Sequence, residues 1–188
     1  IAQILEEYFA VKAVKEEQQV PLVSEVIDIN HTKEYEDLTI HKVNEHTRAY
    51  IKIQDGCNQF CSYCIIPYTR GRIRSKNPEE VIEEVKNLAA QGYKEIVLTG
   101  IHLSSYGKDL GDITLLDVIQ RIQQIEDVER IRLGSLEPRI ITEEFVKELV
   151  KCDKVCPHFH LSLQSGCDET LKRMNRKYTT EEYEEALN

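Results

Sequence analysis

Three cysteines set close together on one loop constrain this chain more than any other feature. The run Gly56-Cys57-Asn58-Gln59-Phe60-Cys61-Ser62-Tyr63-Cys64 spaces them as CxxxCxxC. It follows Ala49-Tyr50-Ile51-Lys52-Ile53-Gln54, whose alternation of apolar and polar residues predicts a β-strand. The thiols therefore belong to the C-terminal end of a strand. So short a loop can wrap three thiolates around one corner of an iron–sulfur cube but does not easily supply a fourth. Three sulfurs leave one iron of a [4Fe–4S] cluster open to a substrate or cofactor. Electron-carrier clusters take four cysteines, and structural zinc takes four closed ligands. On the residues alone, zinc with a distant fourth ligand and a non-catalytic module that uses the thiols only to hold structure both stay open.

A chain of 188 residues can bury one substantial core. Its formal charge of -9 argues against a nucleic-acid binder built on overall charge, because phosphate contacts need clustered Lys and Arg. Two local basic runs remain, Arg70–Lys76 and Lys172–Lys177. Arg70, Arg72 and Arg74 suit either RNA phosphate or a solvated turn. Acids such as Glu79, Glu80, Glu83 and Glu84 read as a solvated helix face. No run has the length and apolarity of a membrane span, and no signal-peptide pattern occurs. The mostly periodic pattern does not suit a secreted disulfide framework, so the six cysteines point to the cytoplasm, where thiols stay reduced.

Residues 1–47 read as the tail of a preceding domain plus a linker. An amphipathic helix carries Ile4, Leu5, Tyr8 and Val11, and short strands are expected around Leu22–Ile29 and Leu38–Val43. Residues 48–188 then alternate strand and helix. Asn77-Pro78-Glu79-Glu80 starts a helix that Gly92 ends, and Glu95–Leu98 is a buried strand. Thr114 caps the next helix, Arg130–Ser135 is a third strand, Thr142–Val150 a third helix and His158–Gln164 a fourth strand. A last helix begins at Thr180. This alternation predicts an α/β fold, a parallel (β/α) barrel truncated after about four units, since a full barrel takes roughly 250 residues. The open edge would need a cover. The chain opens on Ile1 and closes in a helical pattern, and reads as a piece of a longer protein.

Period two sets His160, Ser162 and Gln164 of the fourth strand opposite Phe159, Leu161 and Leu163, which suits a polar cavity on one side. His102 and His160 are candidates for polar contacts in that cavity. Cys152, Cys156 and Cys167, with His158 nearby, form a weaker metal pattern. At a helix end and before a strand, Cys152 and Cys156 read as small apolar side chains.

Taken together, these blocks resemble the radical S-adenosylmethionine (SAM) methylthiotransferases. The likeness runs from about Arg48 to Asn188. It comprises Asp55-Gly56-Cys57-Asn58 through Cys64-Ile65-Ile66-Pro67-Tyr68-Thr69-Arg70-Gly71, Thr99-Gly100 to Tyr106-Gly107, Leu136-Glu137-Pro138, Leu163-Gln164-Ser165-Gly166 and Met174-Asn175-Arg176. The resemblance implies that Cys57, Cys61 and Cys64 hold a [4Fe–4S] cluster whose open iron takes SAM. It further implies a 5′-deoxyadenosyl radical, a second [4Fe–4S] cluster in a preceding domain as sulfur donor, a reductant, and tRNA as partner mainly through other domains. By position in the family pattern, Tyr63 and Gly100 are SAM contacts, and Ser135, Glu137, Gln164 and Arg176 SAM neighbours. The acid many members carry beside Gly100 is replaced here by Ile101 or His102. The loop Gly100–Gly107 looks most like enzymes acting on threonylcarbamoyladenosine in tRNA. Enzymes for isopentenyladenosine tRNA or ribosomal protein S12 usually differ there. This stretch alone is expected to be inactive.

Overall fold

A computed structural model of the chain describes residues 6, 27–36 and 47–188. The expected N-terminal amphipathic helix and the Leu38–Val43 strand fall almost wholly outside those residues. At the end of the other expected short strand, Ile29–His31 is instead a 3-10 turn capped by the Asp28 carboxylate.

The scaffold is one sheet. Strand β1 (Arg48–Asp55) pairs in parallel with β3 (Glu95–Gly100), which pairs in parallel with β4 (Arg130–Leu133). The two-residue β2 (Arg74–Ser75) adds antiparallel to the outer side of β1, giving the order β2-β1-β3-β4. Helices follow the strands in turn: α1 (Ile66–Thr69), α2 (Pro78–Ala90), α3 (Leu115–Gln123), α4 (Glu143–Leu149), α5 (Asp168–Arg173) and α6 (Thr180–Glu185). The α/β expectation holds, as three parallel strands with helices packed on one face.

Local chemistry accounts for these boundaries. The Asn77 side chain accepts from Glu79 N, and Pro78 sits at the first helical position, where its missing N–H costs nothing. Thr114 and Asp117 form a reciprocal capping box at the start of α3. The helices bury Val81, Val85, Leu88, Leu115, Val118, Ile119 and Ile122 against Ile51, Ile53, Ile96, Leu98 and Ile131, all 2% exposed or less. Alternate residues of the strands face the other way. There Tyr50 is 45% exposed, and Arg132 and Arg130 meet Glu95 at 2.9 and 3.2 Å. One face of the sheet is thus core, and the other is the polar, open side of a half-barrel.

The fourth strand is the main correction. The segment 155–161 touches the sheet edge only at single bridges, Val155 with Ile131 and Leu161 with Leu136. Pro157 has no N–H to donate to a ladder, and His158 N instead turns back to Cys156 O at 2.7 Å. Seven residues, 155–161, then span what six, 131–136, span on the neighbour, so the segment bows out between the bridges. Gln164, with φ +63, ends the extended run. Phe159 and Leu163 are 42% and 38% exposed rather than packed under helices. Phe159 and Leu161 help line an apolar groove of about 840 Å³ with Val146, Leu149 and Tyr183 along this open edge.

Candidate radical-initiating site

The cysteine loop leaves β1 through a turn that only glycine fits. Gly56 has φ +68, and a Cβ there would lie 1.8 Å from the Arg72 carbonyl oxygen. Just before it, the buried Asp55 carboxylate accepts from Arg70 Nε and Nη2 at 3.1 and 2.7 Å, Lys52 Nζ at 3.1 Å and Gly56 N at 2.7 Å, with Arg74 at 3.5 Å. Burial alone would raise the Asp55 pKa. The Arg70 hydrogen bonds, the Gly56 N–H and Lys52 outweigh it and hold the carboxyl below its ordinary range. This clamp ties both ends of the loop to the strand.

Beside it, the fully buried Gln54 donates to Asp55 O and Gly56 O at 2.6 and 2.8 Å and accepts from His102 N at 2.7 Å. It joins the cysteine loop to the loop after β3. Gly100 permits this approach, since a Cβ there would meet Gln54 Cβ and Oε1 at 2.9 Å.

All three thiols are free, Cys57 buried and Cys61 and Cys64 half-buried. Cys64 N closes a turn onto Cys61 O at 3.0 Å. Burial pushes the Cys57 thiol up, and the neighbouring thiols of Cys61 and Cys64 and the Glu137 carboxylate add to that. The Cys61 and Cys64 sulfurs therefore lie within electrostatic reach of Cys57. Among the described residues no three His, Cys, Asp or Glu side chains converge tightly enough to hold a single metal ion. A cube makes a looser demand than one ion, because each thiolate binds a different iron. Three thiols on one loop match the donor set of a cube with one open iron and fall one short of the four ligands of closed structural zinc.

The other side of the loop is held by the segment after α5. Ser62 N donates to Met174 O at 3.1 Å, and Asn175 Nδ2 to Phe60 O at 2.8 Å, with Phe60 and Asn175 both at positive φ. Arg176 Nη1 lies 3.2 Å from Cys61 Sγ, placing a guanidinium against a thiol. Arg176 also stands 3.9 Å from Glu137, and His102 Nε2 stands 3.5 Å from the same carboxylate. These are electrostatic contacts rather than hydrogen bonds: Glu137 Oε1, His102 Nε2 and Arg176 Nε are all buried without a hydrogen-bond partner. Burial would raise the Glu137 pKa, but His102 and Arg176 hold the carboxyl down. A buried carboxylate oxygen, an imidazole nitrogen and a guanidinium N–H without partners, next to three thiols, fit a ligand carrying several polar groups.

The remaining sequence-predicted residues divide. Tyr63 donates to Gln164 Oε1 at 3.1 Å, so these two join the loop. Ser135 instead bonds His160 at 2.9 Å and stands apart from the Glu137 network. Cys152 is buried beside Glu148 O, Cys156 is half-buried and Cys167 is exposed. Asp55, Gln54, Gln59 and Asn175 were missed as site residues. Asp55 meets Arg70 and Asn175 meets Phe60 across separations that no local pattern marks.

A parallel half-barrel with a CxxxCxxC loop at the C-terminal end of its first strand defines a class. The chain belongs to the radical SAM superfamily, whose family model matches residues 51–188. Among curated proteins it is 44% identical over 175 residues to the threonylcarbamoyladenosine tRNA methylthiotransferase MtaB of Bacillus subtilis, covering 93% of this chain and 38% of that one. It is 48% identical over 165 residues to a tRNA-2-methylthio-N(6)-dimethylallyladenosine synthase of a Thermoanaerobacter species, covering 86% and 35%. The chain thus spans well under half the length of these relatives. Among solved structures, the radical SAM methyltransferase TsrM of Kitasatospora setae matches with a TM-score of 0.59 at 21% identity, over 74% of this chain and 27% of that one. At that identity the likeness concerns the fold.

Proposed function

We propose that this chain is the front part of the radical SAM domain of a tRNA methylthiotransferase, with threonylcarbamoyladenosine as the substrate nucleoside. The observation that carries the reading is the meeting of the cysteine loop with Arg176, Glu137 and His102 at one end of the parallel sheet. Cys57, Cys61 and Cys64 would hold the [4Fe–4S] cluster, and Tyr63, Gly100, Glu137, Gln164 and Arg176 would surround SAM, with Ser135 at the margin. When bound, cluster and SAM together supply a one-electron route to hydrogen abstraction from an unreactive C–H bond. The chain's own residues prepare that site. Asp55 and Asn175 fix the loop from both sides, and Arg176 sets positive charge against the Cys61 thiolate. Gln54 locks the loop after β3 to the loop after β1.

The described helices include none long and apolar enough to cross a membrane, which accords with a cytoplasmic tRNA enzyme. The sulfur-donating second cluster and most of the RNA contact belong to parts of the parent protein beyond this chain, and the reductant is a separate partner. The threonylcarbamoyl reading is supported by the loop Gly100–Gly107 and by the Bacillus subtilis relative. The higher identity to the dimethylallyladenosine enzyme favours the second reading.

Nucleoside mass spectrometry separates them. The reconstituted parent protein, given tRNA bearing one or the other adenosine, should add the methylthio mass to the threonylcarbamoyl nucleoside alone. Product from the isopentenyl nucleoside alone would transfer the assignment to the other branch.

A further inference from the structure

Between Asp55 and Glu79 the chain contains no carboxylate, although it holds 33 Asp and Glu overall. Within that stretch Tyr63, Ile65 and Tyr68 are 54%, 65% and 61% exposed, a concentration of large apolar side chains that marks an interaction surface. Phe60 links them to the basic run. Its ring meets Tyr68 edge-on at 5.6 Å, and the Arg72 guanidinium lies over it at 4.6 Å. The other cations of the stretch are engaged: Arg70 and Arg74 on Asp55, Lys76 on Glu84. Arg72 is exposed. Asp28 lies within electrostatic reach of it but is itself bonded to Asn30 and His31.

We propose that Tyr68, Phe60 and Arg72 form a shelf on which unpaired nucleotides of the substrate RNA stack beside the cysteine loop, an assignment that rests on the tRNA reading above. Base faces stack on aromatic rings and guanidinium planes in a sequence-tolerant way, and only unpaired nucleotides can present those faces. The bases next to the modified one are thereby held at the mouth of the half-barrel. An acidic protein partner matches the shelf less well, because rings outnumber exposed cations on it.

The test uses the iron-loaded parent protein and fluorescence anisotropy with two labelled RNAs, a hairpin with an unpaired adenosine-containing loop and a fully paired duplex. Tyr68→Ala should weaken hairpin binding about tenfold and duplex binding less than about twofold. Tyr68→Phe should restore the hairpin, and Arg72→Gln should weaken it and flatten its salt dependence. Iron content and circular dichroism should match the unaltered parent protein throughout.

Hairpin affinity unchanged in both Tyr68→Ala and Arg72→Gln would overturn the shelf while leaving the tRNA reading standing. Slower cluster reduction by an acidic electron carrier, with RNA binding intact, would assign the surface to a protein partner and overturn it too. Failure of the unaltered parent protein to bind either RNA would count against the tRNA reading itself.

Discussion

Asp55 is the residue on which the cysteine loop hangs. Its side chain is 3% exposed and meets three cations, of which Arg74 is 5% exposed and Arg70 44%. Removing the carboxylate leaves Arg74 buried beside an empty position. Asp55→Ala should therefore cost about 3 kcal/mol, the low end for a broken buried pair because Arg70 can turn to solvent. Urea denaturation at neutral pH reads this directly. The acid limb gives a second check. The folded pKa lies below the ordinary 3.8, so the carboxylate's stabilisation is complete above that value and is lost as pH falls through the folded pKa. The stability gap between the parent and Asp55→Asn should accordingly be flat near neutrality and close below pH 3.8. Little of this was legible in the sequence. Cys57, Cys61 and Cys64 announce themselves by spacing, whereas Asp55, Gln54 and Asn175 act through contacts that no local pattern encodes. Glu137 and Arg176 were placed only by family likeness, and their meeting with His102 across long sequence separations is a property of the fold.

At the scale of elements, turns and caps were the most legible. Asn77-Pro78, Thr114 and Thr142 start helices where their side chains can accept backbone N–H bonds, a local event. The parallel strands announced themselves through their apolar alternation. Two elements escaped for opposite reasons. Strand β2 is too short to show a period, and it exists because Lys76 N reaches Ile53 O and Ser75 bonds Asp109. The expected strand over His158–Gln164 had the right alternation, but Pro157 interrupts its ladder and Gln164 turns out of it. Alternation describes which side chains could share a face, not whether a neighbour completes the hydrogen bonds. The loop after β1 depends on one such backbone fit. Gly56→Ala should place a methyl group on the Arg72 carbonyl, displace the cysteine loop and lower iron retention sharply while the helices keep their ellipticity. Iron assay and circular dichroism on one sample check both halves of that expectation.

The whole molecule is a sheet with core on one face and chemistry at one end. Helices α2 and α3 seal Ile51, Ile53, Ile96 and Leu98, while the strand ends deliver Asp55, Gly100 and the loops carrying Cys57 and Glu137 to a common region. The chain belongs to the radical SAM superfamily, and buried polar atoms of Glu137, His102 and Arg176 stand without hydrogen-bond partners in that region. The central claim is that three thiols hold a cluster with one iron left for SAM. Electron paramagnetic resonance on the anaerobically reconstituted, dithionite-reduced chain tests it most directly. The account predicts a [4Fe–4S]⁺ signal that changes when SAM is added. A signal indifferent to SAM, or a chain that takes up zinc and shows no iron signal, would contradict it.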